Sequence, residues 1–253
     1  DPTSTWPLTS RGLTYRHMRR LGEASVDFTR AIELNPENAS AVFSRGVAYR
    51  LSGRHEEALA DFTRAIELDP DNMRAFTARG NTYRLSDRHE EALADLTRAI
   101  ELDPDNAQAF TARGNTYRLS DRHEEALADL TRAIELDPGN AWSHYELAIA
   151  LNVSQNPGSD AQLMQSVILL SAQPTGTTQR TTADTGNLFL THCAMSRWEE
   201  AGRYLEDFTR NAPALGEMNE LIAAMNSLSQ AMPSTEERLS GYRLRLEEVV
   251  ADL

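Results

Sequence analysis

Residues 75–106 read AFTARGNTYRLSDRHEEALADLTRAIELDPDN, and residues 109–140 repeat them with one change, Asp105 to Gly139. The offset is 34 residues. One period earlier, residues 45–72 read RGVAYRLSGRHEEALADFTRAIELDPDN, and residues 7–38 keep RGLTYR, FTRAIEL and a proline in register. Four copies therefore fill residues 5–140. A period of this length marks a solenoid, in which each unit covers its neighbour's apolar face because it cannot bury that face alone.

Each copy contains two helical patterns. Phe76, Gly80 and Tyr83 fall at i, i+4 and i+7 on one side of a helix over about 75–86. Ala92, Leu93, Leu96, Ala99, Ile100 and Leu102 form the apolar stripe of a second helix over 90–102. Ser86, Asp87 and Arg88 break the pattern between them and offer capping oxygens. Asp103-Pro104-Asp105 ends the second helix, because proline cannot continue it. Gly80 and Ala92 are small where the helices of a pair should cross closely, so a larger side chain there would wedge them apart. The second helices carry Glu90, Glu91, Asp95 and Glu101, expected to form a solvated face with i, i+3 pairs such as Asp95 with Arg98.

Phe76, Arg79, Gly80, Tyr83, Ala92, Leu96 and Pro104, like Val42, Arg45, Gly46, Tyr49, Ala58, Phe62 and Pro70, resemble the tetratricopeptide repeat (TPR) pattern of aromatic, Leu-Gly, Tyr, Ala, Phe and Pro. The departure is Arg11, Arg45, Arg79 and Arg113 where the pattern has Leu. Each must lay its stem on the core and find an acidic partner for its head. The resemblance implies an all-α, right-handed superhelical solenoid of antiparallel helix pairs. Its regular units are 5–38, 39–72, 73–106 and 107–140. A divergent fifth unit spans 141–174, with helices at 142–151 and 160–172. A Thr-rich segment at 175–185 reads as an exposed loop. A sixth unit, 182–215, keeps Ala201, Leu205, Phe208 and Pro213, but its first helix lacks the family glycine. Residues 216–253 hold two helices, the second opened by Ser234 with Glu237 as a capping box, expected to cap the solenoid.

The net charge of −13 disfavours a general nucleic-acid binder. All 25 basic residues are arginine. High-GC codon usage in a bacterial source accounts for that, and so would retention of arginine for bidentate contacts. Mean hydropathy of −0.50, a lone cysteine and no apolar run approaching a membrane span point to a cytoplasmic protein without disulfides. The chain begins at Asp1, so it is expected to be a piece of a longer protein, such as the adaptor segment of a regulatory protein.

First helices of TPR proteins line a concave groove that receives a peptide or a partner's helix, so the resemblance assigns ligand binding to the first-helix residues turned away from the core. These are Arg16, Phe43, Val47, Arg50, Thr77, Asn81, Arg84, Thr111, Asn115, Arg118, Trp142, Tyr145 and Ile149. Arg16, Arg50, Arg84 and Arg118 form one column beside a second, Arg20, Arg54, Arg88 and Arg122. Asn81 and Asn115 match the asparagine with which many peptide-binding members hold a ligand's backbone. The expected partner is a peptide or helical segment with acidic residues and apolar anchors. Alternatives are RNA or DNA binding through the arginine columns and self-association through aromatic ends, giving a homodimer.

No enzyme, cofactor or metal is expected. His55, His89 and His123 recur once per unit, too far apart to share one metal ion, and read as residues that open each second helix. His192 and Cys193 are adjacent and point about 100° apart on a helix, with no third group to orient them.

Overall fold

The computed structural model describes residues 5–171, 182–211, 213 and 215–251. Every regular element among them is helical. Two compact units divide the chain, Asp1–Pro104 and Asp105–Leu253. The first holds α1 (Trp6–His17), α2 (Leu21–Leu34), α3 (Ala39–Leu51), α4 (His55–Leu68), α5 (Met73–Leu85) and α6 (His89–Leu102). The second holds α7 (Ala107–Leu119), α8 (His123–Leu136), α9 (Ala141–Val153), α10 (Ser159–Ser171), α11 (Thr182–Ala194), α12 (Trp198–Arg210), α13 (Leu215–Ala231) and α14 (Glu236–Ala251). Most of the Thr-rich segment, 175–181, lies outside the described residues, and 182–185 form the first turn of α11 rather than a loop.

The pairs form for reasons written in the repeat. Asn38, Asn72 and Asn106 cap α3, α5 and α7 by accepting from the N–H of Ala41, Ala75 and Ala109 at 3.0–3.1 Å. Asp69 and Asp103, each before a proline, are pushed out of helical geometry and end α4 and α6. Close crossing needs the glycines. A Cβ at Gly12, Gly46, Gly80 or Gly114 would stand 2.7–2.8 Å from Phe28, Phe62, Leu96 or Leu130. Ala24, Ala58, Ala92 and Ala126 are fully buried.

The arginines at the family's Leu position are clamps. Arg45 donates from Nε and Nη2 to Asp61 at 2.8 Å each, and from Nη1 to Thr29 on α2 at 3.1 Å. Arg79 repeats this with Asp95 at 2.7 and 2.8 Å and Thr63 at 3.0 Å. One side chain thus ties three helices, with a charge-assisted fork in each pair. Arg11 with Asp27 and Arg113 with Asp129 make the same fork. Asp95 is therefore buried and unavailable to Arg98, which pairs with Glu101 at 3.1 Å instead. The outer pairing expected of Asp95 is corrected accordingly.

The chain's end departs from a simple cap. In the second unit α13 packs on α11 and α9. Met218, Leu221, Met225 and Leu228 of α13 join Tyr145, Ala148, Ile149, Phe189 and Leu190 in one buried cluster. It therefore lies on the first helices. α14 follows a 3-10 turn, Pro233–Thr235, which replaces the capping box expected of Ser234 and Glu237. Tyr242 of α14 donates to the Trp198 carbonyl at 2.9 Å and meets the Phe189 ring edge-on at 5.4 Å.

Candidate protein-binding face

Charge is sorted between the two helices of every pair in the first unit. α1, α3 and α5 contain seven arginines and no aspartate or glutamate. The carboxylates stand on second helices and connecting turns. Arg11, Arg45 and Arg79 are used as clamps, so four first-helix arginines remain: Arg16, Arg50, Arg74 and Arg84.

The second arginine column serves the fold. Arg20, Arg54 and Arg88 bond Glu23, Glu57 and Glu91 at 2.6–3.0 Å. Their guanidinium groups lie over Tyr15, Tyr49 and Tyr83, 4.2–4.6 Å from the ring centroids. The same contacts join Arg122 to Glu125 and Tyr117 in the second unit. Hydrogen bonding from Arg88 holds the Glu91 carboxyl below its ordinary pKa, and the pair sits at the start of α6.

The first column faces differently in the two units. Arg16 is half-buried, and its pKa is lowered first by burial and then by the like charge of Arg74. Arg74 in turn lies over the half-buried Phe43 ring, 5.3 Å from its centroid. No carboxylate among the described residues is within ion-pair distance of either Arg16 or Arg74. Val47, Asn81, Arg50 and Arg84 are half-buried on the same three helices. Thr77 is buried and donates to the Met73 carbonyl, so it braces α5.

In the second unit the corresponding residues are closed over by the chain itself. Arg118 donates to Asn115 Oδ1 and to Ser227 Oγ of α13, both at 2.7 Å. Asn115 Nδ2 donates to Glu146 Oε1 at 2.6 Å, and Arg118 Nη2 lies 3.5 Å from Glu146 Oε2. All three are nearly inaccessible to solvent. Thr111 is buried against Ser143 at 2.8 Å, Tyr145 and Ile149 belong to the α13 cluster, and half-buried Trp142 stacks on Tyr145 at 4.8 Å. The expectation of a ligand groove at Thr111, Asn115, Arg118, Tyr145 and Ile149 is corrected: Thr111 and Asn115 are engaged by α9, Arg118 by α9 and α13, and Tyr145 and Ile149 are buried with α13. Sequence reasoning passed over Glu146, Ser227 and Arg74. Glu146 was visible as the one carboxylate in the first helices of the first five pairs.

His55, His89 and His123 each open a second helix. No three metal-ligating side chains cluster among the described residues. Burial raises the Cys193 thiol pKa far above its ordinary range, the opposite of a nucleophile's requirement. His192 stacks on Tyr204 at 5.2 Å. No helix among the described residues is long and apolar enough to cross a membrane.

Tetratricopeptide repeat models match residues 9–72 and 62–94, and a TPR repeat model matches 80–121 and 114–152. No curated protein matches. Solved structures with the same fold include PilW, a widely conserved type IV pilus biogenesis factor, at 19% identity and TM-score 0.62, over 83% of this chain and 94% of that one. YrrB, a TPR protein with an unusual peptide-binding site, aligns at 21% identity and TM-score 0.54, over 68% of this chain and 90% of that one. MamA from Desulfovibrio magneticus RS-1 aligns at 16% identity and TM-score 0.60, over 68% and 97%.

Proposed function

The chain belongs to the tetratricopeptide repeat family, and from that premise we propose that it is a protein-interaction scaffold whose first helices receive a peptide or helical segment bearing acidic and apolar residues. The observation that carries this is the sorting of charge: α1, α3 and α5 present arginine, Phe43 and Val47 without one carboxylate of their own. An acidic segment would neutralise that face, and arginine beside aromatic side chains is the composition that dominates protein interfaces. The second unit supports it from within, since its first helices already hold a helix, α13, through an arginine and an apolar cluster. YrrB, of the same fold, has a peptide-binding site.

Site-specific photo-crosslinking in the host tests the proposal. A photoreactive residue at Val47 should trap a partner protein, and one at Ala60, exposed on α4, should not. Equal capture at both sites, or capture at Ala60 alone, removes the first-helix face as the site.

Self-association is a second reading, favoured by Trp6, Met18 and Val26, which are 73%, 62% and 67% exposed in the first pair. Light scattering across a concentration series should then show dimer, abolished by Trp6→Ser with Val26→Ser; a monomer throughout removes it.

A further inference from the structure

In the first unit α3 and α5 each lie against the second helix of the pair before, and on the same side. On α3 that side carries Ala41, Arg45, Ala48 and Ser52, and on α5 Ala75, Arg79, Thr82 and Ser86, at i, i+4, i+7 and i+11. Ala41, Ala48, Ala75 and Thr82 are inaccessible to solvent. Arg45 reaches back to Thr29 of α2, and Arg79 to Thr63 of α4. Three residues beyond each threonine, Ile32 and Ile66 pack in one cluster with Val42 and Ala75. The second helix thus meets its neighbour with a hydroxyl and, three residues later, a branched aliphatic side chain. On α1 the same four positions are Pro7, Arg11, Thr14 and Met18, and all four are exposed. Arg11 keeps its fork to Asp27, yet its side chain is 58% exposed against 21% and 17% for Arg45 and Arg79. Its Nη1 meets no acceptor among the described residues.

We infer that this end of the first pair, formed by Pro7, Arg11, Thr14 and Met18, is a docking surface for a helix of a partner protein, which continues the stack in trans. The helix that fits presents threonine or serine to Arg11 and an aliphatic residue three positions later, as Thr29 with Ile32 and Thr63 with Ile66 do for α3 and α5. Continuity with those two contacts carries the assignment, since the positions left open on α1 are the ones closed one and two periods later. Met18, 62% exposed, stands where α3 and α5 have serine, and a flexible thioether side chain suits a helix outside the repeat's own sequence. A second copy of the chain fits less well. Its α2 and α4 are already taken by α3 and α5, and pairing α1 with α1 about a two-fold axis would set two Arg11 guanidinium groups in one interface. The surface is the end of the stack, away from the arginine column of Arg16, Arg50 and Arg84, and the inference does not depend on the scaffold reading of that column.

The test is a display selection on the full chain with a library of stable three-helix bundles randomised along one exposed helix, read by sequencing. Wild type should enrich Ser or Thr followed three residues later by Val, Ile or Leu. Thr14→Arg puts a long side chain where Ala48 and Thr82 are fully buried in the next two pairs, so it should abolish that pool and weaken the leading binder by about tenfold or more. Val26→Arg, at a position as exposed on α2 as Ala60 is on α4, should leave both intact. Replacing the leading binder's own threonine by valine should weaken it a few-fold, because Arg11 then loses its acceptor. Circular dichroism melting confirms that each variant is folded. No enriched pool, a pool without the hydroxyl, or a pool indifferent to Thr14→Arg overturns the inference. A dimer of the chain alone in light scattering, dissolved by Thr14→Arg, overturns the partner protein in favour of a second copy.

Discussion

Arg16 and Arg118 occupy the same position of the same repeat, in different units, and do different things. Arg118 is a core residue, 6% exposed in its side chain, held by Asn115, Glu146 and Ser227. Arg16 lies half-buried on helices without carboxylates, its pKa lowered by burial and then by the like charge of Arg74. Residues 11–16 and 113–118, RGLTYR and RGNTYR, differ only at Leu13 and Asn115, and Asn115 accepts from Arg118. The rest of the difference is made by a single glutamate one pair further on and by a helix more than a hundred residues away. In a repeat protein the conserved positions build the stack, and the departures decide whether a given stretch of it is closed or open.

Removing the glutamate should have the largest effect. Glu146→Ala leaves Arg118 buried without its carboxylate, and breaking a buried pair in this way costs about 3–5 kcal/mol. Arg16→Ala should cost less than about 0.5 kcal/mol, because no partner is stranded. Urea unfolding followed by hydrogen exchange, which resolves α9 and α13 from α1 and α3, measures both. Equal losses would erase the distinction between the two units.

Next comes a change expected to act alike in both. Gly80→Ala and Gly114→Ala each drive a Cβ to 2.8 and 2.7 Å of a leucine Cγ and to 3.2 Å of a backbone carbonyl. The carbonyl cannot rotate away, so each should cost about 1–3 kcal/mol. A much smaller loss at Gly114 than at Gly80 would mean that the second unit relaxes where the first does not.

These two cases separate what could be read from the sequence from what could not. The pairs, their glycine crossings and the Arg-to-carboxylate clamps follow from side chains that recur every 34 residues, and the need of Arg11, Arg45, Arg79 and Arg113 for acidic partners could be stated before Asp27, Asp61, Asp95 and Asp129 were seen to supply them. The site was harder. Asp95 looked solvated because its period places it beside Arg98, yet the clamp reaches it from the facing helix. α13 looked like a cap because local pattern gives a helix and its ends but not the surface on which it lands. Phe189 shows the same limit: it stands seven residues before left-handed Ser196, as Gly80 stands before Asp87, and its ring is accommodated by Tyr242 of α14.

Mild acid should act on the second unit. Burial, then the charge of Arg197, lowers the pKa of His192 below the unfolded value of 6.5. The folded state therefore prefers the neutral ring. Its stabilising contribution is complete above about pH 6.5 and is lost as pH falls through that value toward the folded pKa. Protection of α11 amides should fall between pH 7.5 and 5.5, above the range where ordinary glutamates titrate, and His192→Gln should flatten the dependence. Equal loss of protection in α3 would assign the effect to something other than His192.

The smallest effect concerns the turn that both units share. Between the helices of each pair one residue is left-handed: Arg19, Gly53, Asp87, Asp121, Gln155 and Ser196, with φ from 54° to 74°. The turn was expected to be set by capping oxygens, but the residue after Asp87 has no side-chain cap. It is closed by backbone bonds instead, Asp87 N–H to the Arg84 carbonyl at 3.2 Å and Arg88 N–H to the Tyr83 carbonyl at 2.9 Å. Only Gly53 adopts this backbone without a Cβ penalty of about 1–2 kcal/mol, a cost that aspartate partly relieves. Glycine gives back about 0.5–1 kcal/mol through the greater freedom of its unfolded chain. The net gain from Asp87→Gly or Asp121→Gly should be about 0.5 kcal/mol each, and Gly53→Asp should lose as much. Asp87 and Asp121 lie in different units and in nearly identical sequence, so their gains should be equal and additive in urea midpoint. Unequal gains would show that the helix covering the second unit's first helices also alters the turns beside them.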